Sequence, residues 1–152
     1  DKKKGIITDL GSHLLDISLF LFNGKLGKLK LIQANKFENK SPDHALFSLK
    51  IKNMIVNLEM NYTMWKNSFY LDLIGSKGSL HIDSLCKWSN SKLTFRKRKF
   101  PSGKPSEKII IFKKGDPTWK IENNFFKNKI KIKSKTNLQK DILINKSLNK
   151  LF

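Results

Sequence analysis

At 152 residues and 17.6 kDa the chain has room for one domain with a true core and not for two ordinary ones. No run approaches the roughly 18 apolar residues that a membrane span needs, and the stretch from Ile17 to Phe22 is too short and too far inside to be a signal peptide, so no membrane partner is expected. The one cysteine, Cys86, excludes an internal disulfide, and no Cys/His cluster has metal-ligand spacing, so a cytoplasmic protein without a metal site is expected. The chain opens on Asp1 and not on methionine, as a fragment or a processed product would.

The formal charge of +19 raises nucleic-acid binding, the ordinary meaning of a basic surface. Only Arg96 and Arg98 among the 31 basic residues are arginine, the residue whose planar fork reads phosphates and bases, and the lysines are spread over every segment. A drift in residue usage accounts for that pattern better than a selected binding surface, so nucleic acid is disfavoured as a partner.

After a polar lead-in, residues 8–22 predict a helix of about four turns. At 100° per residue Leu10, Leu14, Ile17 and Leu21 fall on one side and Leu15, Leu19 and Phe22 on the other, the pattern of a helix buried nearly all round. Between the two sides Asp9, His13 and Asp16 share a stripe at i, i+4, i+7. Ionisable groups on a buried element cost stability unless they are paired or put to use. Two readings follow: a helix start capped by Thr8 or Asp9 with a satisfied histidine, or a catalytic acid/base stripe. Asn23-Gly24 ends the helix, being residue types that accept a left-handed backbone.

From Leu26 the apolar period becomes two. Residues 29–37 read as a first strand, followed by a turn through Ser41-Pro42-Asp43. Residues 45–51 and 54–60 form an antiparallel pair around the tight turn Lys52-Asn53. Met54, Val56, Leu58 and Met60 face one way, making a buried face on which the helix would sit. Residues 69–74 and 79–83 flank Gly75-Ser76-Lys77-Gly78, which reads as a hairpin turn, since the spacing of a phosphate-cradling loop is lacking and no helix follows. His81 points outward as plain surface, and His44 could at most line a cleft.

Strands at 92–100 and 108–112 are joined by a Pro/Gly/Ser loop, with Arg96 and Arg98 on one solvated strand face. Asp116-Pro117 starts a helix, which Trp119, Phe125 and Phe126 would anchor to the sheet. Lys127 to Lys135 reads as an exposed connection, and a capping box at Thr136 opens a terminal helix with Leu138, Ile142 and Leu148 as its apolar side. The fold class expected is α+β: a mostly antiparallel open sheet of about six strands with helices packed on one face. Residues 1–126 would form the body of the domain, and 127–152 a Lys-rich connection and terminal helix of the same domain.

The segment Gly5-Ile6-Ile7-Thr8-Asp9-Leu10-Gly11-Ser12-His13 resembles the Asp-x-x-x-His segment that opens the second domain of the Gfo/Idh/MocA oxidoreductases. Asp43-His44-Ala45, the Asn-rich strand ending near Tyr62, and Ile74-Gly75-Ser76-Lys77-Gly78-Ser79-Leu80 follow in the order of that family, so that the resemblance spans about residues 5–126. It implies a substrate-binding and subunit-contact domain of an NAD(P)-dependent oxidoreductase acting on a sugar or related polyol, with a homo-oligomer formed through the open sheet face. His13 and Asp9 would match positions that contact substrate beside the nicotinamide. From the residues themselves, His13 suits a proton relay, Asp9 could orient its imidazole, and Asp16 could bond backbone or a sugar hydroxyl. No G-x-G-x-x-G follows a strand here, so NAD or NADP would be bound by a missing N-terminal Rossmann domain and this chain would be inactive alone. The alternatives are a non-enzymatic basic module that binds an acidic partner or nucleic acid, and an inactive truncated remnant.

Overall fold

The computed structural model describes residues 4–85, 89–113, 115, 117–132 and 138–151. The chain is α+β, with antiparallel open sheets and helices. It divides into two compact units, one made of residues 1–65 and 135–152 and the other of 66–134.

The first unit begins with a short helix α1 (Gly5–Thr8) and continues, after a break at Asp9, into α2 (Leu10–Leu21). The helix expected over 8–22 is therefore α2, starting at Leu10, and a separate short helix precedes it: Asp9 between them has ψ −85, outside the helical range, and its side chain makes no capping hydrogen bond. Asn23 and Gly24 take positive φ of 54° and 75°, the left-handed turn expected of them. Strands β1 (Lys28–Asn35), β2 (His44–Ile51) and β3 (Met54–Asn61) form one antiparallel sheet in that order. Lys52 adopts φ 53° in the tight β2–β3 turn, and the extra residue Ile32 makes a bulge in β1.

In the register, Ala45 lies opposite Met60, Phe47 opposite Leu58 and Leu49 opposite Val56. This apolar face, with Ile51, is the seat of the helices. α2 does not bury all round, however. It buries Gly11, Leu15, Ser18 and Leu19, while Phe20 is 81% exposed and Leu21 36%. A face at i, i+4, i+7, i+8 is what a helix on a single-sided core presents. Gly11 lets α2 approach closely: a Cβ would lie 3.3 Å from both the Met60 sulfur and the Phe47 ring, which would have to give way. Ser18 is buried yet satisfied, its hydroxyl donating to the Leu14 carbonyl at 2.8 Å.

Asp43 organises the loop between β1 and β2. Its side chain is fully buried, and its carboxylate accepts the backbone N–H of Phe37 (2.9 Å), Glu38 (2.7 Å) and Asn39 (3.0 Å). These donors, led by Phe37 and Glu38, hold its pKa down from 3.8 to about 2.

The second unit holds β4 (Tyr70–Gly75), β5 (Gly78–Asp83), β6 (Ser91–Lys97) and β7 (Ser106–Phe112), antiparallel in sequence order. The β4–β5 turn is the hairpin expected at Ser76-Lys77, and Gly78 is fixed by close approach, since a Cβ would meet the Arg96 carbonyl at 2.3 Å. Among the described residues the strands thus number seven in two sheets, a division that the uniform period-two pattern did not show. Arg98 falls just beyond β6, off the strand face it was expected to share with Arg96.

Helix α3 (Thr118–Lys131) takes in most of the stretch expected to be an exposed connection, because its lysines point to solvent from a helix as readily as from a loop. It buries no residue, and Trp119, Phe125 and Phe126 are 79%, 62% and 63% exposed, so they do not anchor it. The cap proposed at Asp116 and the capping box at Thr136-Asn137 lie outside the described residues, as does Cys86.

In the first unit again, α4 (Gln139–Asn149) packs against α2 through Ile144 and Leu148. Leu138 and Ile142, expected on the buried side, are 59% and 50% exposed. Among the described residues no helix is long and apolar enough to cross a membrane.

Candidate functional site

The stripe read from the sequence exists, but it faces solvent. Asp9, His13 and Asp16 are all exposed, on the side of α2 turned away from Leu15 and Leu19. The argument that they are costly polar groups on a buried helix is therefore corrected: in water they need no partner. His13 has no hydrogen-bond or ion-pair partner among the described residues. His13 and Asp16, three apart on a continuous helix, have Cβ atoms about 5–6 Å from each other.

Asp9 is different. It stands at the junction of α1 and α2, and its Oδ2 accepts the hydroxyl of Tyr62, the residue immediately after β3. Burial and the Asp9 carboxylate together push the Tyr62 hydroxyl up to about 12. Asp9 is thus held by a tyrosine, and no hydrogen bond joins it to His13, contrary to the orienting role suggested by their i, i+4 spacing. Tyr62 is itself hung from the core, its N–H donating to the Asp43 carbonyl at 2.8 Å.

Two neighbours escaped the sequence reading. Tyr62 could not be found by helical spacing because it follows a strand and lies 53 residues from Asp9. Phe20 could have been found: it lies seven residues after His13 and continues the stripe, with an exposed ring. The helical wheel drawn from the sequence assigned it to neither apolar side and did not extend the polar stripe to it.

The other histidines are engaged in cross-strand networks. His44 bridges Asn35 (3.3 Å) and Glu59 (3.1 Å) across β1–β2–β3. Since the Asn35 amide donates to Nδ1, the proton sits on Nε2 and is given to Glu59. His81, expected as plain surface, is the centre of a row across all four strands of the other sheet: Nδ1 to Asp72 Oδ1 at 2.6 Å, Nε2 to Ser79 Oγ at 2.7 Å and to Arg96 Nη1 at 3.1 Å, with Arg96 Nε on Glu107 at 2.6 Å. Serine, histidine and aspartate are connected here as in a nucleophilic triad. Arg96 only donates, however, so it shares the Nε2 lone pair that a serine base would need. The row locks the strand register, and Arg96 draws the Glu107 carboxyl below its ordinary range.

The glycine-rich turn does not make a dinucleotide cradle. The glycine pair Gly75/Gly78 sits in an antiparallel hairpin, whereas pyrophosphate binding needs a glycine turn that leads from a parallel strand into a helix N-terminus. Among the described residues no group of His, Cys, Asp and Glu could hold a metal ion.

The first unit thus seats a helix on an antiparallel sheet and presents acid, imidazole and aromatic side chains from the helix's outer face. Residues 1–81 match the family model described as the GFO/IDH/MocA C-terminal domain, and the chain belongs to that family, a family of oxidoreductases. The match takes in α1, α2, the first sheet and the β4–β5 hairpin as far as His81. No curated protein and no solved structure matches the chain.

Proposed function

We propose that this chain is the substrate-binding and subunit-contact domain of an NAD(P)-dependent oxidoreductase acting on a sugar or related polyol. The observation that carries the reading is the family match over residues 1–81, within which one exposed stripe presents Asp9, His13, Asp16 and Phe20. Removing a hydride from a carbinol carbon requires that its hydroxyl proton leave, so a group that takes protons near neutral pH must reach that oxygen. His13, solvent-facing and unpartnered among the described residues, has its imidazole at liberty to do so. Asp16, about one turn on, can accept a neighbouring hydroxyl, and the Phe20 ring offers an apolar platform for the carbon skeleton. Tyr62 sets the Asp9 carboxylate at the edge of this surface.

The hydride chemistry would belong to NAD or NADP on a dinucleotide-binding domain that these residues do not supply. The subunit contact is assigned to the second sheet, whose strand β7 is exposed throughout, with Ile109, Ile110, Ile111 and Phe112 between 39% and 52% accessible. An apolar strip of that kind is what a second subunit would cover.

Reading the coding region upstream of Asp1 tests the proposal. An in-frame strand, glycine-rich turn and helix would support it. A coding region that starts at this domain, with no separate chain supplying a dinucleotide domain, would overturn the catalytic part.

A further inference from the structure

The two arginines have different fates. Arg96 is spent on Glu107 and His81. Arg98, two residues on and past the end of β6, is held by other means: its N–H donates to the Lys77 carbonyl at 2.9 Å, its Nη1 donates to the Ser76 carbonyl at 3.2 Å, and its guanidinium lies 4.4 Å from the centre of the Phe100 ring. One donor and one face of the fork are used, and four of its five N–H groups have no protein acceptor among the described residues.

Arg98 lines a hollow of ≈ 390 Å³ together with Lys97, Lys99, Lys104, Pro105 and Ser106. Four of the six lining side chains are cations and none is an acid. No carboxylate lies within ion-pair distance of these four among the described residues. Glu107 senses Lys104 but is already bonded to Arg96. Four like charges around one concavity raise the local positive potential, which an anion seated among them would lower.

We propose that this hollow, at the β6–β7 end of the second sheet, binds clustered phosphate groups. A single carboxylate would leave most of the charge unanswered, whereas a di- or triphosphate brings several charges in a volume the hollow can hold. The fixed guanidinium supplies the two-pronged contact that phosphate oxygens accept, and the lysines supply adaptable point charges. Base stacking, which a single-stranded nucleic acid would use, is poorly served because Arg98 already covers a face of Phe100. The site is independent of the His13 stripe, and its test does not require oxidoreductase activity.

Calorimetric titration of the chain with inorganic triphosphate at an ionic strength of about 0.15 M decides the matter. The pair Arg98→Gln with Lys104→Gln is compared with Lys28→Gln with Lys30→Gln, which removes equal charge from β1. Circular dichroism checks that both variants keep the fold. The expected result is binding that weakens about tenfold or more in the first pair and stays near wild type in the second. Absence of binding by the wild-type chain to triphosphate and to vesicles alike, or equal weakening in both pairs, overturns the proposal. A parallel titration with phosphatidylcholine vesicles carrying a bisphosphorylated inositol lipid distinguishes the sources of phosphate: triphosphate binding assigns the site to a soluble ligand, and vesicle binding without it, lost in the first pair, assigns it to a headgroup. Binding to duplex DNA with neither of these also overturns it.

Discussion

The Tyr62 hydroxyl donates its hydrogen to Asp9 Oδ2, tying the end of β3 to the break between α1 and α2. The bond makes Asp9 a fixed carboxylate where helical spacing alone would have left it free to turn toward His13. It also gives the chain an alkaline signature. Folding raises the Tyr62 pKa from 10.0 to about 12, so the bond's contribution to stability is complete below pH 10 and is lost as the pH climbs toward 12. Absorbance titration of the folded chain should show one of its two tyrosines ionising late. Tyr62→Phe should abolish the late step and cost about 1 kcal/mol in urea unfolding at pH 7. Unchanged titration in the variant would refute the assignment.

Asp43 gives the opposite dependence. Its folded pKa is lowered to about 2, so its contribution is present above pH 4 and is lost as the pH falls from about 4 to about 2. Asp43→Asn should flatten stability across that acid window and lower the melting temperature at pH 7, because a neutral amide accepts the N–H groups of residues 37–39 more weakly. Thermal melts at pH 3 and pH 7 measure both effects. Equal acid sensitivity in the two proteins would show that the carboxylate is not the titrating group.

Leu15→Ala removes a side chain with no exposure from the contact of α2 with the sheet, and should cost about 2–5 kcal/mol by urea denaturation. Phe20→Ala, on the same helix but 81% exposed, should change stability by about 0.5 kcal/mol or less. Similar losses in both would mean that the helix is packed the other way round.

For the proposed activity, His13→Ala in an enzyme that carries this domain with its dinucleotide partner should lower kcat about a hundredfold or more, with unfolding unaffected because the imidazole holds nothing else together. Steady-state kinetics at saturating substrate measure the loss. Turnover that is unchanged would remove His13 from the reaction.

Much of the fold was legible because its signals are local. The left-handed Asn23-Gly24, the two-residue β2–β3 turn and the period-two runs each depend on residues a few positions apart. The seat of α2 was legible too, since Leu58 and Met60 alternate with polar residues. What the sequence concealed depends on long-range partners. Nothing local says that the β1–β3 and β4–β7 strands belong to different sheets, that Tyr62 reaches Asp9, or that Ile144 and not Ile142 meets the core. α3 misled for a different reason: its aromatic residues suggest burial, yet they lie exposed. Of the site, the residue types and spacing of Asp9, His13 and Asp16 were readable, while their exposure was not, because a helix with apolar residues on two sides does not announce which side wins.

The return of α4 to the first unit sets an order on biosynthesis. The chain leaves that unit near Trp65 and supplies Ile144 and Leu148 only at its far end. As it emerges from the ribosome, amino end first, α2 and its sheet must therefore wait until the whole second unit has been translated before the last two core side chains arrive. A premature stop codon between 66 and 138 would leave β1–β3 intact in sequence yet uncapped, a nascent product marked for chaperone capture and not for use.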